Sequence, residues 1–276
     1  SGETGLCVGT HALLSEDVEF KNLALVVTDE QHRFGVEQRA ALVGKGTRPH
    51  LLVMSATPIP RTLALIIYGD LDVSVIDELP PGRQKVGTFA VDESYRARLN
   101  GFIEKLAHEG RQVFVVCPRI EENEEGADGI KSAEEHAEAL RAALPDLRIT
   151  CIHGRMKAKE KDEIMSAFAR GETDVLVSTT VIEVGVDVPN AALMVIENAD
   201  RFGLSQLHQL RGRVGRGGEQ SYCILMSGEK LSRESRARLD AMCETNDGFR
   251  LAELDLKLRG SGDINGTMQS LSLIHI

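Results

Sequence analysis

Short apolar runs alternate with amphipathic stretches along nearly all of this chain, and that alternation constrains the fold more than any single residue does. A strand followed by a helical crossover comes back parallel to its predecessor, so the pattern predicts an α/β fold built on parallel sheets. The candidate strands are residues 6–10, 23–28, 51–54, 73–76, 86–91, 112–116, 148–152, 174–178, 192–196 and 221–226. The candidate helices are 36–43, 59–68, 93–109, 133–143, 157–170 and 204–211. Within 157–170, Ile164, Ala167 and Phe168 share one face and charges fill the other, as a helix against a core requires. Leu79-Pro80-Pro81-Gly82-Arg83 is the clearest linker, because paired prolines cannot continue a helix and stiffen the connection. The expected domains are therefore 1–82, 83–230 and a final segment 231–276. Beyond Leu231 the chain turns helical and charged through Arg233, Glu234, Arg236, Arg238 and Asp240.

A chain of 276 residues suits two lobes of roughly 100–150 residues each. The net charge of −10 excludes a surface coated with basic groups, so any nucleic-acid contact must follow a local track. Part of the acid is concentrated in Glu121-Glu122-Asn123-Glu124-Glu125-Gly126-Ala127-Asp128, which reads as a solvated loop. No apolar run approaches the roughly 20 residues that span a bilayer, and no signal-peptide pattern opens the chain. The cysteines at 7, 117, 151, 223 and 243 form no Cys-x-x-Cys pair, and three sit in strand-like runs. Buried thiols in a reducing cytoplasm are expected.

Two motifs point to chemistry. Gln206-Leu207-His208-Gln209-Leu210-Arg211-Gly212-Arg213-Val214-Gly215-Arg216-Gly217 reads as a short helix running into a glycine-rich loop. Arginine forks clamp phosphate oxygens, and glycines let a backbone approach a ligand. Inserted at a transferring phosphate, Arg213 and Arg216 would stabilise its charge, an effect worth roughly a thousandfold or more in rate. The alternative, a solvated helix end, is weak here because two arginines alternate with three glycines. Far upstream, Asp29-Glu30-Gln31-His32 follows the apolar run Leu23-Ala24-Leu25-Val26-Val27. At a strand end, Asp29 could hold a magnesium ion through its water shell while Glu30 orients the attacking water. Acids there also simply cap the next helix.

Weaker signals surround these two. Ser55 and Thr57 end a strand before Pro58 and Pro60, placed either to relay nucleotide state or merely to cap a helix. In Ser178-Thr179-Thr180-Val181-Ile182-Glu183-Val184-Gly185-Val186-Asp187, the hydroxyls of Thr179 and Thr180 suit a nucleic-acid phosphate. Gly185 and Asp187 could meet the nucleotide across the cleft, whereas an ordinary turn with a capping acid explains them equally well. His153-Gly154-Arg155 follows another strand; a structural histidine is the plainer account of His153. An acid pair and an arginine clamp in one chain suggest a nucleotide-hydrolysing motor divided over two lobes.

In order and spacing the motifs resemble the RecG branch of superfamily 2 DNA helicases. The strings carrying the resemblance are Asp29-Glu30-Gln31-His32-Arg33-Phe34-Gly35, Ser55-Ala56-Thr57-Pro58-Ile59-Pro60-Arg61-Thr62-Leu63 and Asp77-Glu78-Leu79-Pro80-Pro81-Gly82-Arg83. His153-Gly154-Arg155-Met156, the run 179–189 and the arginine motif continue it, over essentially residues 1–269. The resemblance implies two RecA-like lobes, the first incomplete, followed by a helical hairpin. It implies ATP and Mg2+ as cofactors and branched or double-stranded DNA as partner, with single-stranded DNA-binding protein a further partner, no membrane, and a monomer in the cytoplasm. It assigns Asp29 and Glu30 to magnesium and water, and Gly185, Asp187, Arg213 and Arg216 to the nucleotide. Gln209 heads the last motif and His32 closes the first, both at the nucleotide. Ser55, Thr57, His153, Arg155, Thr179, Thr180, Arg233 and Arg236 would bind or couple DNA; without the resemblance, Arg233 and Arg236 read as a solvated helix face. Relatives that couple transcription to repair share Ala56-Thr57-Pro58-Ile59-Pro60-Arg61, and a non-catalytic DNA-binding module is a third alternative.

The departures from the family also carry expectations. No Gly-x-x-x-x-Gly-Lys-Ser/Thr loop occurs, and in the family it lies upstream of Ser1 with the wedge domain. The chain thus reads as an amino-terminally truncated piece, inactive alone, with an exposed strand edge and apolar patch around residues 51–54. Ser261 stands where the family has proline and Met268 where it has arginine, and residues 270–276 read as an unrelated apolar tail.

Overall fold

The computed structural model describes residues 4–29, 41–55, 72–76, 78, 80, 82–118, 128–179, 188–228 and 230–259, without the side chains of 11, 128–132 and 259. These residues divide into two compact units, one within Ser1–Pro58 and the other within Ile59–Ser261. Glu30, His32, Thr57, Thr180, Gly185 and Asp187 lie outside the described residues. So do the expected helix 59–68, most of 36–43, and residues 260–276, which include Ser261, Met268 and the apolar tail.

In the first unit, β1 (Leu25–Thr28) pairs in parallel with β2 (His50–Val53), Val27 opposite Leu52 and Thr28 opposite Val53. Side chains alternate between the two faces of a strand. Val26 and Thr28 are buried on one face, while Leu25, Val27, Leu52 and Met54 on the other are 55%, 48%, 50% and 42% exposed. The apolar patch expected around residues 51–54 is therefore present, and it extends across both strands.

The second unit holds six described strands, all parallel, in the order β3-β8-β7-β4-β6-β5. In chain order these are β3 (Gly87–Asp92), β4 (Gln112–Cys117), β5 (Ile149–Ile152), β6 (Val175–Thr179), β7 (Ala191–Ile196) and β8 (Tyr222–Ser227). Between them run α1 (Arg96–His108), α2 (Asp128–Ala143), α3 (Ala158–Ala169) and α4 (Leu204–Arg211); α5 (Arg233–Glu244) and α6 (Gly248–Arg259) follow. β4, β6 and β7 are buried along their whole length, as expected of strands covered on both faces. Alternation along β4 shows the two layers. Val113, Val115 and Cys117 pack with Leu99, Ile103 and Leu106 of α1 and with Ala133, Ala137 and Leu140 of α2. Phe114 and Val116 pack with Phe168 of α3, Leu204, Leu207 and Leu210 of α4, Leu239 and Met242 of α5, and Leu251 of α6. Each large apolar side chain buried this way contributes about 1.5–3 kcal/mol.

Two expected strands do not form. Residues 6–10 and 73–76 carry the apolar content of strands, but Leu6 and Val8 are exposed, and Val73 and Ile76 are 51% and 92% exposed. A strand is held by its ladder, and among the described residues no strand pairs with these runs. Residues 93–95 are a 3₁₀ turn rather than the first turn of α1, because the Asp92 carboxylate accepts from the Ser94 backbone N–H at 2.9 Å and closes the chain locally.

Candidate functional site

The parallel order gives the larger sheet two chemically distinct edges, one where strands start and one where they end. α4 leaves the 3₁₀ turn after the end of β7 and delivers its C-terminus to the start of β8, so the arginine motif lies at the strand-start edge. There Gly215 has φ +74°, a left-handed backbone that favours glycine, and a Cβ on it would stand 2.9 Å from Val86 Cγ2. Gly217 is pressed as closely: a Cβ there would stand 2.9 Å from the Pro189 carbonyl oxygen. The glycines thus serve close packing of the loop against β3 and the approach to β7. Arg213 is half-buried; Arg216 is exposed, with its Nε 3.5 Å from the Gly212 carbonyl. Gln209 lies exposed on α4.

Arg211 is the residue of this motif that sequence reasoning left without a role. It is buried, and its guanidinium donates to the carbonyls of Met242 (2.8 Å) and Thr245 (2.9 Å), fastening α4 to the end of α5. A further contact reaches Thr88 Oγ1 at 3.4 Å. His208 Nδ1 lies 3.0 Å from Arg211 Nη2. A guanidinium can only donate, so Nδ1 must be the acceptor and the ring hydrogen sits on Nε2. Burial and the neighbouring Arg211 charge lower the His208 pKa to about 4, so the ring is neutral near pH 7.

At the strand-end edge, His153 follows β5 and Thr179 closes β6. Thr179 is buried, 3% exposed, whereas Arg155 is exposed in the turn after His153. His153 Nε2 lies 3.3 Å from Glu134 Oε1 of α2. Arg233 and Arg236 are exposed on the first turns of α5, which Ser232 caps by accepting from the Ser235 N–H at 3.0 Å. The same edge holds an ion-pair network that the sequence did not announce. Glu197, buried just past β7, accepts from Arg96 at 2.6 and 2.8 Å and faces His136 Nε2 at 3.1 Å. Burial pushes its carboxyl up, but the Arg96 and His136 hydrogen bonds prevail and hold it at about 2. Burial above all, together with Glu197, raises the Cys117 thiol to about 12, which makes it an inert core side chain. All five cysteines are free; 117 and 223 are buried and 151 is partly so, each on a strand.

In the first unit, Asp29 and Ser55 emerge from the same edge, because Thr28 and Val53 are paired strand ends; both are exposed. Asp29 lies directly after Thr28, the last residue of β1. Among the described residues no cluster of three or more metal-ligating side chains occurs. No described helix is long and apolar enough to cross a membrane.

A parallel sheet clothed on both faces, with an arginine loop at one edge, defines a RecA-like helicase lobe, and residues 96–218 match the helicase conserved C-terminal domain. Residues 245–274 match the C-terminal part of domain 3 of ATP-dependent DNA helicase RecG. Over nearly its whole length the chain is similar to RecG helicases. It is 55% identical to the RecG helicase of Synechocystis sp. over 98% of its own length and 32% of that protein's. Against RecG of Bacillus subtilis it is 52% identical over 98% of the chain and 39% of the relative. A solved structure of RecG bound to a three-way DNA junction superposes with a TM-score of 0.75 at 50% identity, covering 93% of this chain and 33% of that one. The chain thus spans about a third of the length of the relatives it matches.

Proposed function

We propose that these residues form part of the motor of an ATP-dependent helicase that remodels branched DNA, such as forks and Holliday junctions, in recombination and repair. The observation that carries this reading is the arginine pair on a glycine turn packed closely against Val86 and Pro189. Residues 1–82 supply part of the first lobe, 83–230 the second, and 231–276 a hairpin that passes lobe movement on to DNA. Arg213 and Arg216 bind the nucleotide phosphates and stabilise their charge as the bond to the terminal phosphate breaks. Gln209, His32, Gly185 and Asp187 complete the nucleotide contacts. Glu30 orients the attacking water, and Asp29 holds Mg2+ largely through water. When bound, that ion supplies positive charge to the phosphates. Backbone carbonyls rather than an acid hold Arg211, so it serves as a docking point for the hairpin and not as a phosphate ligand.

The DNA track runs along the strand ends. Arg155, Arg233 and Arg236 supply phosphate contacts, and His153, Thr180, Ser55 and Thr57 bind or couple DNA. Thr179, buried at the end of β6, acts in coupling with them. The protein acts as a cytoplasmic monomer, with single-stranded DNA-binding protein as a further partner.

DNA-stimulated ATP hydrolysis tests this reading. The 276 residues contain no Gly-x-x-x-x-Gly-Lys-Ser/Thr loop, so alone they should hydrolyse ATP at background. Extended to full RecG length, Arg213→Ala or Arg216→Ala should lower kcat about a thousandfold. Parent-like turnover in both variants rejects the assignment. Arg233→Ala with Arg236→Ala should weaken duplex binding and flatten its salt dependence by about two counterions. An unchanged salt slope removes both from the track.

A further inference from the structure

The segment entering β3 lies along the arginine loop, joined to it at successive residues. Arg83 Nε donates to the Gly215 carbonyl at 3.0 Å, and Gln84 Nε2 donates to the Gly218 carbonyl at 3.0 Å. From the other side, Gln220 Nε2 donates to the Lys85 carbonyl at 3.0 Å. The Gly87 N–H then donates to the Ser221 carbonyl at 3.0 Å, and the regular pairing of β3 with β8 begins at Gly87 and Tyr222. Between these ties, buried Val86 packs into the space that Gly215 leaves by having no side chain. Residues 83–87 therefore form a strap over 215–221, beginning immediately after Pro80-Pro81-Gly82.

One of these ties has special leverage. The Gly215 carbonyl belongs to the peptide plane whose N–H is that of Arg216. Gly215 itself sits at positive φ, where glycine has wide rotational freedom. Fixing that carbonyl fixes the plane, and the plane fixes the direction in which the Arg216 side chain leaves the backbone. We propose that Arg83 is a positioning residue for the arginine pair: by holding the Gly215 carbonyl it sets the turn from which Arg213 and Arg216 project. The inference rests on the reading that those two arginines contact the nucleotide. It adds that residues 83–87 and the arginine loop are mechanically one piece, so the path of the chain at 82–83 is communicated to the loop.

Two substitutions separate the donor from the charge. Arg83→Gln places an amide nitrogen the same number of bonds from Cα as Nε, keeping a donor while losing the charge. Arg83→Met keeps the length and has no donor. In the 276-residue chain, hydrogen exchange of the amides in 212–219 should quicken about tenfold with Arg83→Met and return close to the parent rate with Arg83→Gln. In the chain extended to full RecG length, Arg83→Met should lower the kcat of DNA-stimulated ATP hydrolysis about tenfold to a hundredfold, the scale of a misplaced catalytic group. The KM for ATP should stay within about twofold, and Arg83→Gln should recover most of kcat, since the loss falls on the transition state. Unchanged loop exchange in Arg83→Met overturns the proposal, as does failure of Arg83→Gln to rescue. Arg213→Ala and Arg216→Ala serve as controls. If they lose kcat while Arg83→Met keeps it, the strap inference alone fails. If all three keep it, the nucleotide reading of the arginines fails and this inference falls with it.

Discussion

The strand-start and strand-end edges of the larger sheet solve the same problem, holding cationic groups steady, by opposite means. At the strand ends, Arg96 is held by carboxylates, Glu93 and the buried Glu197, with His136 alongside. At the strand starts, the buried Arg211 is held by two backbone carbonyls and a neutral imidazole. An ion pair depends on protonation and reaches across distant elements. A carbonyl cage depends only on backbone geometry, so it disappears if either helix shifts. The first arrangement suits a fixed platform, the second a joint meant to register movement.

The largest effect expected from breaking this contrast is at the carbonyl cage. Arg211→Met strands the Met242 and Thr245 carbonyls in an apolar layer and should cost about 3 kcal/mol in chemical denaturation. A loss below about 1 kcal/mol would mean that water enters the cage in the variant and satisfies both carbonyls.

The ion pair should show itself through pH. Glu197 has a folded pKa of about 2, below the ordinary carboxylate value, so its contribution is complete above the unfolded pKa near 4.5 and is lost as pH falls toward 2. The amount is about 3 kcal/mol, and Glu197→Gln should flatten that part of the curve. His208 acts higher on the scale. Its folded pKa of about 4 lies below 6.5, so the unfolded chain takes up the proton first and stability falls between pH 6.5 and 4. His208→Gln should remove that slope while leaving the lower one. A single slope in the parent protein would show that the two edges do not titrate independently.

Smaller effects sharpen the comparison at glycines. Gly215→Ala meets both a left-handed backbone and Val86, and should cost about 2 kcal/mol. Gly171 has the same backbone sign, φ +75°, but open space around it, so Gly171→Ala should cost about 1 kcal/mol. Equal costs would mean that the seat against Val86 is loose. In the first unit, Val27→Thr with Leu52→Thr should leave the denaturation midpoint nearly unchanged while reducing self-association in sedimentation, because both side chains face outward.

Periodicity made the larger sheet legible. Residues 204–211 form the helix the sequence indicates, and every strand from β3 to β8 lies within a residue or two of its apolar run. The runs at 6–10 and 73–76 misled because composition reports apolar content and not the presence of a neighbour. The two edges differ in the same respect. Arginines and glycines four residues apart are visible in a string. Arg96 and Glu197 are 101 residues apart, and Arg83 and Gly215 are 132 apart, so only the parallel crossovers bring them together. Arg211 was visible as part of a motif, but its partners are main-chain carbonyls, which every residue has and no sequence advertises.

The tautomer imposed on His208 gives the molecule an internal gauge. While the hairpin is docked, the imidazole hydrogen must stay on the far nitrogen. Nitrogen chemical shifts of a single labelled ring would then report when α5 lets go of its neighbour, with no probe attached and no substrate present.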